Sequence, residues 1–225
     1  MEDLDKILKN MDAHMKKQKE YIDRTTAGQQ MFFKWLGRYY VEYSRLQSEL
    51  EVATYIMMDK DNNIGQRVIK SLMIQNTMHQ SLMTFLSLCN EFAKTKPELD
   101  ESFTAQVCQK AEVISKDIFK ERNHFAHSGL FPSLDEPPED PMEYKFIRRR
   151  IKTSKRIFVE EEPEFNSHYL IEKSLEVRNF SNFIHVLGRG VADEFLESRA
   201  PEKVFTIGAD GVTCNKIISN LGESL

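Results

Sequence analysis

Residue types that suit chemistry at a phosphate occur together in the segment 122–127, which has the sequence RNHFAH. An imidazole titrates near neutrality, so His127 can give or accept a proton at physiological pH. The guanidinium of Arg122 stays charged and presents a planar fork of donors that matches phosphate oxygens. Asn123 lies four residues before His127, close enough on a helix to hydrogen-bond the ring and fix its tautomer. Arg122, Asn123 and His127 are therefore the candidate catalytic residues.

A helix is predicted over residues 101–128, and it must position these side chains. Its apolar residues recur at three- and four-residue steps and then stop at Ser128-Gly129; they are Val107, Ala111, Ile114, Ile118 and Phe125. Arg122 falls on the same stripe, where burying a charge without a partner or water costs several kcal/mol of folding free energy. Positions five apart on a helix point about 140° away from each other, so Arg122 and His127 are not automatic neighbours.

Arg122-Asn123, three residues and then His127 resembles the motif of HEPN domains, which is Arg, four to six residues, and His. Those domains are helical bundles with the motif near the end of one helix. The resemblance implies a metal-independent endoribonuclease in which the RNA 2′-OH attacks its own phosphate. His127 would be the general acid or base, and Arg122 would stabilise charge on the phosphoryl oxygens. The products would be a 2′,3′-cyclic phosphate and a 5′-OH.

The resemblance also implies partners. In the family two protomers or two domains join their motifs in one cleft, so a chain with one convincing copy is expected to form a homodimer. Such domains often serve as toxins or in antiphage defence, which adds an antitoxin or regulatory protein to the expected partners. HEPN toxins that pair with a nucleotidyltransferase have a Tyr two positions after the motif His, whereas this chain has Gly129. Regulation by transfer of a nucleotide to that Tyr is therefore not expected.

A second match to the motif runs from Arg178-Asn179 to His185, with six residues between Arg and His. It lies on the polar flank of a strongly amphipathic helix predicted from Asn166 or Ser167 to about Ser198. A solvated pair of side chains is the ordinary explanation there. We therefore place the candidate site at Arg122 and His127.

A dense basic run follows the motif helix. Its members, the candidate RNA-binding residues, are Lys145, Arg148, Arg149, Arg150, Lys152, Lys155 and Arg156. Acidic residues flank the run at 135–140 and 160–164, and the whole chain has a net charge of -4, so contact with an RNA backbone must come from a local patch. The alternative is that the run is a solvated charged face.

The apolar periodicity predicts a mainly α fold, a HEPN-like helical bundle of about five helices. The expected helices cover 2–22, 29–58, 65–94, 101–128 and 166–198. Residues 1–25 form an N-terminal amphipathic helix or arm, with Leu4, Leu8, Met11, Met15 and Ile22 along one stripe. The helical domain spans 26–199 and includes a Pro-rich, basic loop or insertion at 130–166, with short strands at 145–147 and 156–159. In the tail, 200–225, a β-hairpin is expected around Asp210-Gly211.

Several classes of protein find no support in the sequence. Cys89, Cys108 and Cys214 are widely spaced without a CxxC pair, so they are expected to be reduced thiols. There is no Gly-rich phosphate loop, HExxH or GxSxG, and His124 has no partners at metal-ligand spacing, so we expect no metal and no cofactor. No apolar stretch of about 18 residues and no apolar leader occurs, so a cytoplasmic protein without membrane insertion is expected.

An alternative function remains open. The chain would then be a non-catalytic HEPN-like helical module that binds RNA, a nucleotide or a protein partner through its first helix and basic loop. In that case Arg122 and His127 would serve the structure, and partner binding would not depend on His127.

Overall fold

Helices account for most of the described chain. In this computed structural model the described residues are 2–58, 76–133, 135–152, 157–160, 164–192, 201, 205–208 and 211–214. Their four α-helices are α1 (Glu2–Met58), α2 (Met78–Thr95), α3 (Glu101–His127) and α4 (Ser167–Ala192). The mainly α fold class is thereby confirmed. Within these residues, no helix combines the length and apolar character that crossing a bilayer would require.

The first two predicted helices are one continuous helix, so the described residues contain four helices where about five were expected. We expected a break between 22 and 29, but α1 runs from Glu2 to Met58. No proline interrupts it, and the three-and-four spacing passes through Ile22, Thr25, Gln29 and Phe32 without a shift. The helix continues through Gly28. The missing Cβ of this glycine leaves room for the ring of Tyr144.

The chain forms two compact units. Unit 1 comprises Met1–Val41 and Asn123–Ser174, and unit 2 comprises Glu42–Arg122 and Leu175–Leu225. Both α1 and α3 contribute to each unit, and the predicted catalytic segment changes unit between Arg122 and Asn123.

Unit 1 contains a small antiparallel sheet in the order β1-β2-β3. Its strands are β1 (Gly129–Pro132), β2 (Phe146–Lys152) and β3 (Ile157–Glu160), and a short 3-10 turn covers Pro141–Glu143. The short strands predicted near 145–147 and 156–159 are confirmed as β2 and β3, whereas β1 was not predicted. β1 directly follows the end of α3 and pairs with β2, with Leu130 opposite Arg148.

Aromatic side chains form the core of unit 1. Phe32 of α1 stacks on Phe146 of β2 with 3.8 Å between ring centroids. Phe165 lies edge-on to Phe125 of α3 at 5.3 Å, and Tyr39 of α1 meets the same Phe125 at 5.3 Å. The sheet is thus fixed against α1 and against the last turns of α3.

Unit 2 has an aliphatic core. Its buried residues come from all four helices and include Leu46, Leu50, Leu82, Phe85, Cys89, Val107, Ala111, Ile184 and Leu187. A capping box between Thr77 and Gln80 starts α2. Cys89 and Cys108 are buried free thiols, as the wide spacing predicted.

The predicted C-terminal hairpin is confirmed in unit 2. β4 (Phe205–Gly208) pairs antiparallel with β5 (Gly211–Cys214). Phe205 is buried against Phe183 of α4, with centroids 5.0 Å apart. The Asp210 turn, residues 65–75 of the predicted third helix and 193–198 of the last one lie outside the described residues.

We expect Gly28→Ala and Gly37→Ala to change stability in opposite directions, although both glycines lie inside α1. A Cβ at Gly28 would overlap the ring of Tyr144, whereas a Cβ at Gly37 would meet nothing within 4 Å. Gly28→Ala should lower the unfolding free energy by about 1–3 kcal/mol through overpacking. Gly37→Ala should raise it by about 0.5–1 kcal/mol, because alanine loses less backbone entropy in a helix. Urea unfolding of both variants measures this, and equal effects would contradict the packing described for Gly28.

Candidate functional site

Arg122 is held on an aromatic ring. It is half-buried in unit 2, with its guanidinium carbon 5.6 Å from the ring centroid of Tyr43. The Tyr43 ring meets Phe119 edge-on at 6.4 Å, and His79 contacts the same Phe119 at 6.2 Å. A ring face attracts a cation through its quadrupole, which explains how a charged residue occupies the apolar stripe of α3.

Burial keeps Tyr43 neutral. It raises the pKa of the Tyr43 hydroxyl from its usual 10.0 to about 12, and the positive charge of Arg122 opposes this only in part. The ring therefore acts as an uncharged aromatic platform for the guanidinium at physiological pH, and Arg122 does not form an ion pair with a phenolate.

Asn123 and His127 lie in unit 1, on the last two turns of α3, and both are exposed. Residues four apart on a helix are neighbours on one face, so the two are placed as the spacing predicted. Arg122 lies on another side of the same helix, since positions five apart point about 140° away from each other. The helix thus brings Asn123 and His127 together but does not by itself bring Arg122 to them.

His127 differs from His124, its neighbour one turn earlier. His124 is half-buried, whereas His127 is exposed at the end of the helix. Among the residues that the structure describes, no cluster of three or more His, Cys, Asp or Glu side chains has the geometry to hold a metal ion.

Two of the expected RNA-binding residues have structural roles in unit 1. Arg148 is only 7% exposed, and its guanidinium carbon lies 5.5 Å from the Phe125 centroid and 5.1 Å from the Phe165 centroid. Lys145 forms an ion pair of 2.7 Å with Glu164. The hydrogen bond and the negative charge of Glu164 raise the pKa of Lys145. Arg148 therefore stabilises the core of unit 1, and the charge of Lys145 is already compensated.

The structure describes the rest of the basic run less fully. Arg149, Arg150 and Lys152 lie on β2, where only their backbone is described. Lys155 and Arg156 lie outside the described residues. The prediction that these five residues contact RNA stays a prediction.

The second motif match lies in a row of paired polar side chains between α1 and α4 in unit 2. Arg178 donates two hydrogen bonds, of 3.2 and 2.7 Å, to Oε1 of Glu42, which is 2% exposed. One turn along, Arg45 donates to Asn182, and Nδ1 of His185 lies 2.9 Å from Oε2 of Glu49. Arg178 and His185 are thus bound to carboxylates of α1 and are not simply solvated.

The spacing of polar residues in the sequence could have predicted this row of paired side chains, but we missed it. Glu42, Arg45 and Glu49 follow one another at steps of three and four along α1, as do Arg178, Asn182 and His185 along α4. The two polar rows have matching spacing, and each side chain of one row faces a complementary polar or charged group of the other. Their pairing gives Arg178 and His185 a sufficient structural explanation.

A polar cavity of about 410 Å³ lies beside the start of the sheet in unit 1 and was not predicted. Its charged lining includes Asp135, Glu136, Glu143 and Lys145. Because the carboxylates outnumber the lysine, the cavity is a poor receptor for a phosphate.

Comparisons of the chain with family models, curated proteins and solved structures find no match.

We expect Tyr43→Phe to change how stability depends on alkaline pH. The unfolded chain releases the Tyr43 proton near pH 10, whereas the folded chain holds it to about pH 12. The contribution of this hydroxyl to the unfolding free energy is therefore fully present below pH 10 and is lost as the pH rises towards 12. The wild type should lose more unfolding free energy over this interval than Tyr43→Phe does, which denaturant titrations at several pH values would measure. Parallel curves for the two proteins would contradict a buried, neutral Tyr43.

Proposed function

We propose that this chain is a metal-independent endoribonuclease of the HEPN type, with Arg122, Asn123 and His127 as its catalytic residues. The observation that supports this most is the exposure of His127 at the end of α3, one turn after Asn123. The proposed reaction is attack of a ribose 2′-oxygen on the adjacent phosphorus. The bond from phosphorus to the 5′-oxygen breaks, and the leaving oxygen takes up a proton.

His127 would carry the proton transfers. An imidazole that is open to solvent can reach a bound nucleotide and can serve as base or acid near neutral pH. Asn123 lies on the same helix face and can hold one ring nitrogen by a hydrogen bond, leaving the other for substrate. This division of roles explains why the more buried His124 is not assigned to the reaction.

Arg122 would stabilise the negative charge that develops on the phosphoryl oxygens. Its contact with Tyr43 restricts the side chain. A ring face attracts the cation without neutralising its charge. The Tyr43 ring would therefore position Arg122 for the reaction.

A second copy of the chain would complete the site. Arg122 and His127 leave α3 in directions about 140° apart, which makes their joint action on one phosphate from a single helix difficult. Two motifs facing each other, as in the family that the segment resembles, remove this difficulty. We place the homodimer in the cytoplasm, as a toxin or antiphage-defence nuclease with an antitoxin or regulatory protein as a further partner.

The second candidate is a non-catalytic module that binds a protein, RNA or nucleotide. One observation favours a protein partner: Leu8, Met11, Met15 and Ile22 of α1 are all more than half exposed along one stripe. In that case Arg122 would serve the fold through Tyr43, and the exposure of His127 would have no catalytic meaning.

We expect His127→Ala to abolish RNA cleavage in EDTA, while His124→Ala retains it. Loss of a general acid or base lowers the rate by roughly 10²–10⁴-fold. The two histidines share the last turn of α3, so the second variant controls for changes in the helix end. The measurement is single-turnover cleavage of a panel of structured and single-stranded RNAs, with circular dichroism to compare folding. Equal cleavage by the wild type and a folded His127→Ala protein would sink the proposal.

Arg122→Lys should keep the charge on α3 and still lower the cleavage rate by about 10²-fold, because lysine lacks the planar fork. Arg24→Lys is the matched control, since Arg24 forms an exposed and long ion pair of 3.8 Å with Glu139. Full activity of Arg122→Lys would show that Arg122 contributes no directed hydrogen bonds to the phosphate.

A further inference from the structure

The apolar side chains of a stripe on the N-terminal part of α1 are more than half exposed. Leu8, Met11, Met15 and Ile22 are 52%, 55%, 56% and 54% exposed. With Gln18 they follow steps of three, four, three and four residues, which is the heptad spacing of a coiled coil. We call Leu8, Met11, Met15, Gln18 and Ile22 the N-terminal seam.

The same spacing continues into the buried part of α1. Beyond Ile22 the heptad positions are Thr25, Gln29, Phe32, Leu36, Tyr39, Tyr43, Leu46, Leu50, Ala53 and Met57. Six of these ten, Phe32, Tyr39, Leu46, Leu50, Ala53 and Met57, belong to the buried core. The stripe is therefore a helix-packing surface for more than half of its length. The N-terminal seam is the stretch of it that no helix covers within the described part of the chain.

The flanking residues favour a helix over a membrane as the occupant. Residues 2–24 contain six acidic and six basic side chains, so the segment has no net charge at neutral pH. An amphipathic helix that binds an anionic bilayer has a Lys- and Arg-rich polar face, which mixed charge does not provide. A strict heptad stripe is also narrower than the apolar face that lies flat on a membrane.

We propose that the N-terminal seam pairs with the same seam of a second copy of this chain, as a two-stranded coiled coil. Identical seams supply matching heptads, and a segment without net charge does not repel its copy. Gln18 is the polar layer that favours one register over others, since it is stable only opposite a partner that it can hydrogen-bond. Apolar Ile7 and Tyr21 flank the seam and are 56% and 48% exposed, which extends the surface to be covered.

The seam is short but is presented on a helix that is already formed. Residues 8–22 span about 22 Å, or four turns, which alone would be marginal as an isolated helix. Here the helix continues into the core of unit 1, where Phe32 is fully buried, so association does not have to order it. The seam would thus bring two chains together, and its role in joining two catalytic motifs rests on the proposed endoribonuclease function.

The test compares the molar mass of the full-length wild type with that of the double variant Met11→Glu/Met15→Glu. Both methionines are exposed, so the folded chain should tolerate the change, and two carboxylates in adjacent layers should oppose pairing. The matched control is Val41→Glu/Val52→Glu, which adds the same charge at exposed positions of α1 off the stripe, 59% and 46% exposed. Sedimentation equilibrium over a range of concentrations measures all three proteins.

We expect the wild type and control to approach twice the chain mass of 26.3 kDa and the seam variant to remain at that mass. A monomeric wild type at high concentration, or a seam variant that stays dimeric, would overturn the proposal. The mass requires no RNA, so the two hypotheses fail separately. A dimer lost in the seam variant supports the seam even in a chain that cleaves no RNA. Cleavage by a monomeric wild type overturns the seam and the need for a second copy, but not the endoribonuclease activity.

Discussion

Both compact units depend on one constraint, which is the recurrence of core residues along α1 at steps of three and four. In unit 1 it directs Phe32 and Tyr39 towards the aromatic core, where they contact Phe146 and Phe125. In unit 2 the same stripe buries Leu46 and Leu50. A helix with one uninterrupted stripe must find cover along its whole length, because water-exposed apolar rows are unfavourable. Among the described residues, this stripe is mostly buried from Phe32 to Met57, whereas the apolar residues of the N-terminal seam are more than half exposed.

The second constraint is the placement of three partly or fully buried guanidinium groups, each of which contacts an aromatic ring or a carboxylate. Arg122 lies over Tyr43, Arg148 lies against Phe125 and Phe165, and Arg178 donates to the buried carboxylate of Glu42. An ion pair neutralises the charge, whereas aromatic faces hold it without removing it. Arg148 is too buried to meet a ligand, whereas Arg122 is only half-buried.

Periodicity allowed α3 and α4 to be predicted closely, because each presents one apolar stripe and has a clear stop or cap. It failed between 22 and 29, where two helices were expected and α1 is continuous. The close approach of the Tyr144 ring to Gly28 is a tertiary contact that no local pattern reveals. β1 was missed because Gly129–Pro132 is short and becomes a strand only through its pairing with β2. The predicted domain boundaries at 25 and 199 stay predictions.

The position of the candidate residues on α3 was predictable from the sequence, but their surroundings were not. The spacing of Asn123 and His127 places them on one helix face, and the unusual position of Arg122 on an apolar stripe was visible in the sequence. The contact of Arg122 with Tyr43 was not, because Tyr43 lies 79 residues earlier in the chain. The carboxylates that hold Arg178 and His185 were missed for the same reason, since pairing between helices depends on tertiary packing.

The most direct test of the central claim uses two RNA oligonucleotides that differ by one oxygen atom. One is an RNA that the protein cleaves at a single bond, and the other has a 2′-deoxy sugar on the 5′ side of that bond. We expect the first to give 2′,3′-cyclic phosphate and 5′-OH ends in the presence of EDTA and the second to remain intact, because the proposed reaction has no other nucleophile. Cleavage of the deoxy substrate at the same bond, or fragments with 5′-phosphate ends, would contradict a transesterification site at Arg122 and His127.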